Sequence, residues 1–596
     1  MPDDTLPQMF WRRVEMSGGL PAQMVTHDGR WRTLTWSEVG DIVRDLAHGL
    51  LALDRQRGET VALLSSNRAE WVQADFAVLS AGCVTVPIYA TFTPELIAYI
   101  VNDAEATTLI VENPIQLQKV WEAKRKAPCL ERIVVIEGYA EQPPSVLTWE
   151  ELRRLGRSHA ARSENAMTER LASIRSEDIA TIVYTSGTTG LPKGVVQTHA
   201  NHLAALQATA QITPVLPGDV HLLVLPLAHA FARLEEFMAV HVGLTTAFVG
   251  RVDKLADALR EVRPHFCCGV PRLYEKIQAG LLTGAEGGSP IKKQMFRWAL
   301  GIGREVSRRQ QAKQPIPFAL RLKHRLAHAL VFARLREAMG GRLRFAVSGG
   351  APLSRELAEF FHAVGILILE GYGLTESCPV LTFNRIGHFK FGSVGPALPG
   401  VELKIAADGE ILARGPTIAT RGYLKQPELT AEAFPPDGWL HTGDIGSLDD
   451  EGFLYITDRK KDLIVTSSGF NVAPQSIETL LKGDPLVSQV IVCGDRRPYL
   501  VALITLNPVE LAKFAERQGI TAIVYQELIK HPDVVERMGL IVEMKNVALP
   551  SYSKIKRFAI LPVEFTEVGG ELSATQKVRR KVIADRYGDV IESLYG

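Results

Sequence analysis

The densest run of phosphate-binding side chains is Tyr184-Thr185-Ser186-Gly187-Thr188-Thr189-Gly190-Leu191-Pro192-Lys193-Gly194. Its glycines let a backbone come close to a polyphosphate. Its hydroxyls and N–H groups can donate to phosphate oxygens, and Lys193 adds a positive charge. A P-loop requires Gly, four residues, then Gly-Lys followed by Ser or Thr. Here Pro192 stands where that second glycine belongs and Gly194 follows the lysine, so this is another kind of phosphate loop. A Gly/Thr turn that binds nothing would explain neither the hydroxyl density nor the lysine, which have no packing purpose.

Such a loop needs rigid elements to hold it. Ala180-Thr181-Ile182-Val183, just before it, is strand-like. The N-terminal half alternates short apolar runs with helical patterns, which predicts an α/β architecture. Strands are expected over Glu59–Leu64, Val84–Ile88, Thr107–Val111 and Arg132–Ile136, with a helix over Trp71–Ala81. Phe76–Phe92, interrupted by Gly82 and Pro87, is too broken to span a membrane and is expected to be a buried helix running into a buried strand.

With 596 residues the chain exceeds what one core supports, roughly 250–300 residues. The formal net charge of +1 gives no global pull toward nucleic acid, and none is expected as a partner. The six cysteines form no C-x-x-C pair, which excludes a disulfide framework or zinc ribbon and reads as buried small hydrophobes in a reducing compartment. The N-terminus is not a secretory signal. The charged run Asp458-Arg459-Lys460-Lys461-Asp462 lies between two strand patterns and is expected to be an exposed linker. That gives a large domain over 1–457, a hinge at 458–462 and a smaller α/β domain over 463–596.

At the length of Tyr184–Gly194, the loop resembles the signature of the adenylate-forming (AMP-binding) superfamily, whose members include acyl-CoA synthetases, peptide-synthetase adenylation domains and beetle luciferases. Further motifs follow in that family's order. Leu225-Pro226-Leu227-Ala228-His229-Ala230-Phe231 resembles its histidine motif, whose His lies near the acyl/nucleotide junction. Ser348-Gly349-Gly350-Ala351-Pro352 resembles the strand end that takes adenine. Glu370-Gly371-Tyr372-Gly373-Leu374-Thr375-Glu376 resembles the Y-G-x-T-E motif. The resemblance implies that Tyr372 faces adenine, Thr375 bonds a phosphate, and Glu376, a hard oxygen donor, ligates Mg²⁺ with Thr185 nearby. Trp439-Leu440-His441-Thr442-Gly443-Asp444 and Asp458-Arg459 match the next two motifs, which implies that Asp444 and Arg459 bind ribose. Lys461 then falls at the hinge. Ser467-Ser468-Gly469-Phe470 resembles the loop lining the pantetheine tunnel, and Gly570 to Arg580 the terminal lysine motif, with Lys577 reaching the reacting carboxylate and α-phosphate. Many relatives have Gly before that lysine; here it is Gln576.

The implied fold is a large multi-subdomain N-terminal domain plus a small mobile C-terminal α/β domain. The implied reaction joins a long-chain fatty acid to coenzyme A at the expense of ATP, with Mg²⁺, through an acyl-adenylate. The implied catalytic set is Lys577, His229 and Glu376. An acyl-AMP ligase that loads a carrier protein, and an inactive nucleotide-binding membrane scaffold, are the alternatives; Glu376 and Lys577 argue against the second. Residues 292–344 hold 14 Lys/Arg against Glu305 and Glu337, interleaved with Phe296, Trp298, Leu300, Phe318, Leu320, Leu330 and Phe332. A basic amphipathic helix can lie on an anionic membrane. The favoured reading is an ordinary helical pair packing its apolar stripe on the core. The expected location is the cytoplasm, with the inner membrane face as the place any peripheral contact would occur. Oligomeric state is not legible.

Overall fold

The computed structural model describes residues 4–27, 29–138, 146–185, 191–286, 289–520, 524–566, 569–572 and 578–596. The chain divides into two compact units. One comprises 1–353, 358–403 and 413–441; the other comprises 354–357, 404–412 and 442–596.

The first unit is built on two sheets. In the seven-stranded sheet, Thr60–Leu64 pairs in parallel with both Val84–Ile88 and Thr108–Val111, and Arg132–Val135 and Val146–Thr148 extend it outward. Beyond Val84–Ile88 come Ile179–Thr185 and, antiparallel to it, Lys193–Thr198. Val61, Ala62, Leu63 and Leu64 are all fully buried, as parallel strands covered on both faces must be. The eight-stranded sheet carries Phe266–Gly269, Phe345–Ser348 and Leu367–Tyr372 side by side in parallel, closed by the antiparallel Thr382–Phe383.

Every residue of the helix Ala69–Ser80 except Glu70 is buried. Its Trp71, Val72 and Phe76 join one core with Val61 and Leu63 of the first sheet and Leu223, Phe266 and Phe345 of the second. Gly82, at φ +71°, then turns the chain into Val84–Ile88. The buried helix-to-strand reading of Phe76–Phe92 therefore stands, and the other expected strands agree to within a residue or so at their ends.

The second unit has a three-stranded sheet, Val487–Cys493, Leu500–Leu506 and Ile555–Ile560, packed with Pro474–Lys482 and Pro532–Asn546 around its own core. The run 458–462 is not uniformly exposed. Asp458 and Arg459 finish the strand Leu454–Arg459, and Asp458 is buried, accepting N–H bonds from Arg459 at 2.7 Å and Gln475 at 2.8 Å. Only Lys460–Asp462 form a surface 3-10 turn. Burial pushes the Asp458 carboxyl up to about 6.

All six cysteines are free thiols, and four of them are buried. Among the described residues no helix is long and apolar enough to cross a membrane.

Candidate active site

The strands on either side of the phosphate loop pair with each other as an antiparallel hairpin. Thr185 and Lys193 are register partners across Ile179–Thr185 and Lys193–Thr198, with Tyr184 opposite Gly194 in the next pair. Directly opposed residues share a face of the sheet, so Thr185 and Lys193 emerge side by side at the hairpin's mouth. Gly194 must be small, since a Cβ there would meet Tyr184 Cζ at 3.0 Å and Ile182 Cγ2 at 2.8 Å. Ser186, Gly187, Thr188, Thr189 and Gly190 lie outside the described residues, as does Lys577.

A segment not singled out in the sequence organises the next part. Gly422–Leu424 runs along the outer edge of Lys193–Thr198: Val196 N–H donates to Gly422 O at 3.0 Å, and Leu424 N–H to Gly194 O at 2.8 Å. Tyr423, bridged to Val195 between those bonds, touches two of the predicted groups. Its hydroxyl donates to Glu376 Oε1 at 2.7 Å, and the Lys193 ammonium lies over its ring, 5.1 Å from the centroid. The Thr375–Ser377 turn is clamped independently. Gln197, buried on the same strand, donates to Thr375 O at 2.6 Å, and Ala419 N–H to Glu376 O at 2.8 Å. The hairpin, Thr375 and Glu376 are thereby one connected assembly.

The glycine-rich strand ends lie beside it. Ser348 and Glu370 are register partners in adjacent parallel strands, so Gly349, Gly350 and Ala351 leave the sheet next to Gly371, Tyr372 and Gly373. Gly350 has φ +78°, a conformation that favours glycine. A Cβ at Gly373 would lie 2.0 Å from Pro379 O, and one at Gly371 2.8 Å from Phe383 Cδ2. Glu370 is buried and accepts the Leu353 N–H at 3.0 Å, tying the Gly349–Ala351 loop to the neighbouring strand; burial pushes its carboxyl up to about 8.

His229 caps the helix Ala230–Val242, its Nδ1 accepting from Phe231 N at 3.2 Å. With Nδ1 used as acceptor, the neutral ring carries its proton on Nε2. The strand end before it is pinned by Asn67, which donates to Leu225 O at 2.8 Å and accepts from Leu227 N at 2.9 Å. A Cβ on Gly349 would meet the Phe231 ring at 3.0 Å, so the histidine motif and the adenine-motif loop approach closely.

In the second unit Asp444 and Arg459 are register partners on antiparallel strands and form an ion pair, Nε to Oδ1 2.8 Å, with the carboxylate buried. Lys461 is exposed on the 3-10 turn, whereas its neighbour Lys460 bonds Asp408 at 2.7 Å and Glu410 at 2.9 Å and is pushed up to about 12 by those partners. Gly469, at φ +81°, turns the small hairpin of Ile464–Val465 and Asn471–Val472 with open space around its Cβ position. Phe470 beside it stacks on Tyr552, with centroids 4.7 Å apart and planes 9° apart.

Among the described residues no three His, Cys, Asp or Glu groups converge as a metal cage. One carboxylate, Glu376, and one hydroxyl, Thr185, fit Mg²⁺, which keeps several waters and is held partly by substrate phosphates.

Sequence motif and geometry together define a nucleotide-binding enzyme of the adenylating kind. The AMP-binding enzyme family matches residues 10–424, and the AMP-binding enzyme C-terminal domain matches 461–596. The chain belongs to the AMP-binding enzyme family. It is 38% identical over 571 residues to the long-chain-fatty-acid–CoA ligase FadD15 of Mycobacterium bovis, covering 95% of this chain and 93% of that one. It is 31% identical to the long-chain-fatty-acid–CoA ligase ACSBG2 of Xenopus laevis, covering 100% of this chain and 84% of that one. The fold resembles the anthranilate CoA ligase AuaEII in complex with anthranoyl-AMP, with a TM-score of 0.76, 21% identity and 100% and 99% coverage. It also resembles a Mycobacterium tuberculosis fatty acyl CoA synthetase, with a TM-score of 0.60, 23% identity and 99% and 100% coverage.

Proposed function

We propose that this chain is an ATP-dependent long-chain fatty acyl-CoA synthetase, converting a fatty acid, ATP and coenzyme A to acyl-CoA, AMP and pyrophosphate. The observation that carries the proposal is the joining of Lys193 and Glu376 through Tyr423 at the mouth of the Thr185–Lys193 hairpin, in a chain whose relatives are named for this activity over nearly their full length.

A carboxylate is a poor acyl donor because its leaving group would be oxide. In the first step a carboxylate oxygen attacks the α-phosphorus, the bond to the bridging oxygen breaks, and pyrophosphate departs. The work is positioning and charge neutralisation. Lys193 stands over Tyr423 where it can meet phosphate oxygens, and Lys577 is assigned the reacting carboxylate and α-phosphate. Tyr372 is assigned an adenine face, Thr375 a phosphate oxygen, and Asp444 with Arg459 the ribose diol. Bound Mg²⁺ would be held by Glu376 and Thr185 and would supply positive charge beside the phosphates. His229, fixed by its cap bond, presents Nε2–H as a donor at the acyl/nucleotide junction. In the second step the coenzyme A thiol attacks the acyl carbonyl, AMP leaves, and the thiol proton is released. Rotation about Lys461 would exchange the Lys577 face of the small domain for the Gly469–Phe470 face, which lines the pantetheine path.

The test is pyrophosphate exchange over acids from acetate to oleate, followed by coenzyme A. Exchange and thioester formation with long acids support the proposal. Exchange without thioester would replace it with an acyl-AMP ligase loading a carrier protein. No exchange with any acid would refute it.

A further inference from the structure

Behind the phosphate hairpin lies the helix Pro94–Asp103. Thr93 caps it, its hydroxyl accepting from Leu96 N, and Ile97, Ala98, Ile100 and Val101 anchor it in the core of the seven-stranded sheet. Tyr99 and Asp103, four residues apart and both half-buried, share another face of the helix. The Tyr99 hydroxyl donates to Pro192 O at 3.1 Å, and the Tyr184 hydroxyl donates to Asp103 Oδ2 at 2.7 Å. The two rings meet edge to face, with centroids 6.5 Å apart and planes at 82°. Tyr184 enters the loop and Pro192 leaves it, so one rigid helix holds both ends.

The arrangement sorts the side chains of the hairpin. Successive strand residues face opposite ways, so Tyr184 turns to the helix while Thr185, and Lys193 across from it, turn to the other face. Burial and the Asp103 carboxylate push the Tyr184 phenol up, so it keeps its proton and stays the donor. A carboxylate in the last turn of a helix opposes the helix dipole. Asp103 stands in that position and accepts the Tyr184 hydroxyl. A segment dense in Gly, Ser and Thr loses much conformational freedom when it closes on a ligand, and fixing its ends lowers what binding must supply. We propose that Tyr99 and Asp103 are positioning residues for the polyphosphate of ATP, fixing the two ends of 185–192 so that its hydroxyls, its N–H groups and Lys193 meet the pyrophosphate portion. The proposal rests on the ATP-dependent ligase reading.

The experiment is calorimetric titration of the full chain with ATP and Mg²⁺, with inorganic pyrophosphate and Mg²⁺, and with AMP, for wild type, Tyr99→Phe, Asp103→Asn and Asp103→Leu. Melting curves show that each is folded. Tyr99→Phe should weaken ATP and pyrophosphate about 2- to 10-fold, the worth of one neutral hydrogen bond, and leave AMP as it was. Asp103→Asn keeps an acceptor for the Tyr184 hydroxyl and should bind like wild type, whereas Asp103→Leu strands that hydroxyl and should lose at least as much as Tyr99→Phe. Thioester formation from supplied acyl-adenylate, which needs no pyrophosphate contact, should be unchanged in all three. Unaltered ATP and pyrophosphate affinity in Tyr99→Phe and Asp103→Leu would overturn the proposal. So would an equal loss for AMP, which would make the contacts general support for the fold, or an Asp103→Asn variant as weak as Asp103→Leu. Wild type that bound no ATP would sink the ligase reading and this proposal with it, while ATP binding equal in wild type and variants would sink this proposal alone.

Discussion

Tyr423→Phe removes one atom and leaves the rest of the assembly standing. The phenol donates to Glu376 Oε1 at 2.7 Å, while the Val195 bridge and the Leu424 bond to Gly194 use only backbone. A hydrogen bond to a charged group is worth about 1.5–3 kcal/mol and one between neutral groups about 0.5–1.5, and the half-buried setting here argues for a value where the two ranges meet, about 1–2 kcal/mol. At about 1.4 kcal/mol per factor of ten, Mg²⁺ half-saturation in pyrophosphate exchange should rise by roughly 5- to 30-fold. The ring stays under Lys193, so KM for ATP at saturating Mg²⁺ should change little. Tyr423→Leu also removes the ring, and at about 0.5–1 kcal/mol for a partly exposed cation–π contact it should cost a further 2- to 5-fold in kcat/KM for ATP. The assay is exchange titrated against Mg²⁺ for wild type and both variants, with melting curves to show that each is folded. A Tyr423→Phe half-saturation within about twofold of wild type would refute the coupling of hairpin to metal ligand.

Other expectations follow from single contacts. Gly373→Ala drives a Cβ onto Pro379 O, backbone against side chain with no flexible end to yield, and should lower stability by about 1–3 kcal/mol and abolish exchange; a fully active, equally stable variant would contradict the packing. Glu370 ionises near 4.5 when unfolded and is pushed up to about 8 when folded, so the native state holds its proton longer and stability falls as pH rises through that window. Glu370→Gln should therefore gain melting temperature on wild type between about pH 5 and about pH 9, and a constant difference would remove the buried-carboxyl reading. Lys577→Ala should abolish adenylate formation while sparing thioester formation from supplied acyl-adenylate; equal loss of both steps would move the lysine's role elsewhere. Lys461→Pro should block the second step more than the first, and full thioesterification in that variant would sink the hinge assignment.

What could be read from the sequence was local. The hydroxyl-rich loop, the glycine-rich strand ends and the ordered motifs announce themselves because their residue types have no packing use. Tyr423 gave no such signal. Nothing in Arg421-Gly422-Tyr423 separates it from a turn before a helix, and its partners Lys193 and Glu376 meet it only through tertiary pairing. Gln197 and Asn67 were silent for the same reason. Asp458 sits in a charged run that reads as exposed, yet strand pairing carries it inside, where two N–H donors receive it. The helix 318–327 shows the limit of periodicity. Leu320, His324 and Ala327 line one side and the apolar Phe318, Leu322 and Leu326 another, and the fold turns the less apolar side inward, with Leu320 and His324 partly covered and Ala327 buried.

The central claim, attack of the carboxylate on the α-phosphorus, is tested most directly with a long-chain acid labelled with heavy oxygen in its carboxylate. Adenylation followed by transfer to coenzyme A must leave one labelled oxygen in AMP and none in pyrophosphate. Label appearing in inorganic phosphate together with ADP would mean an acyl phosphate, and would contradict the account.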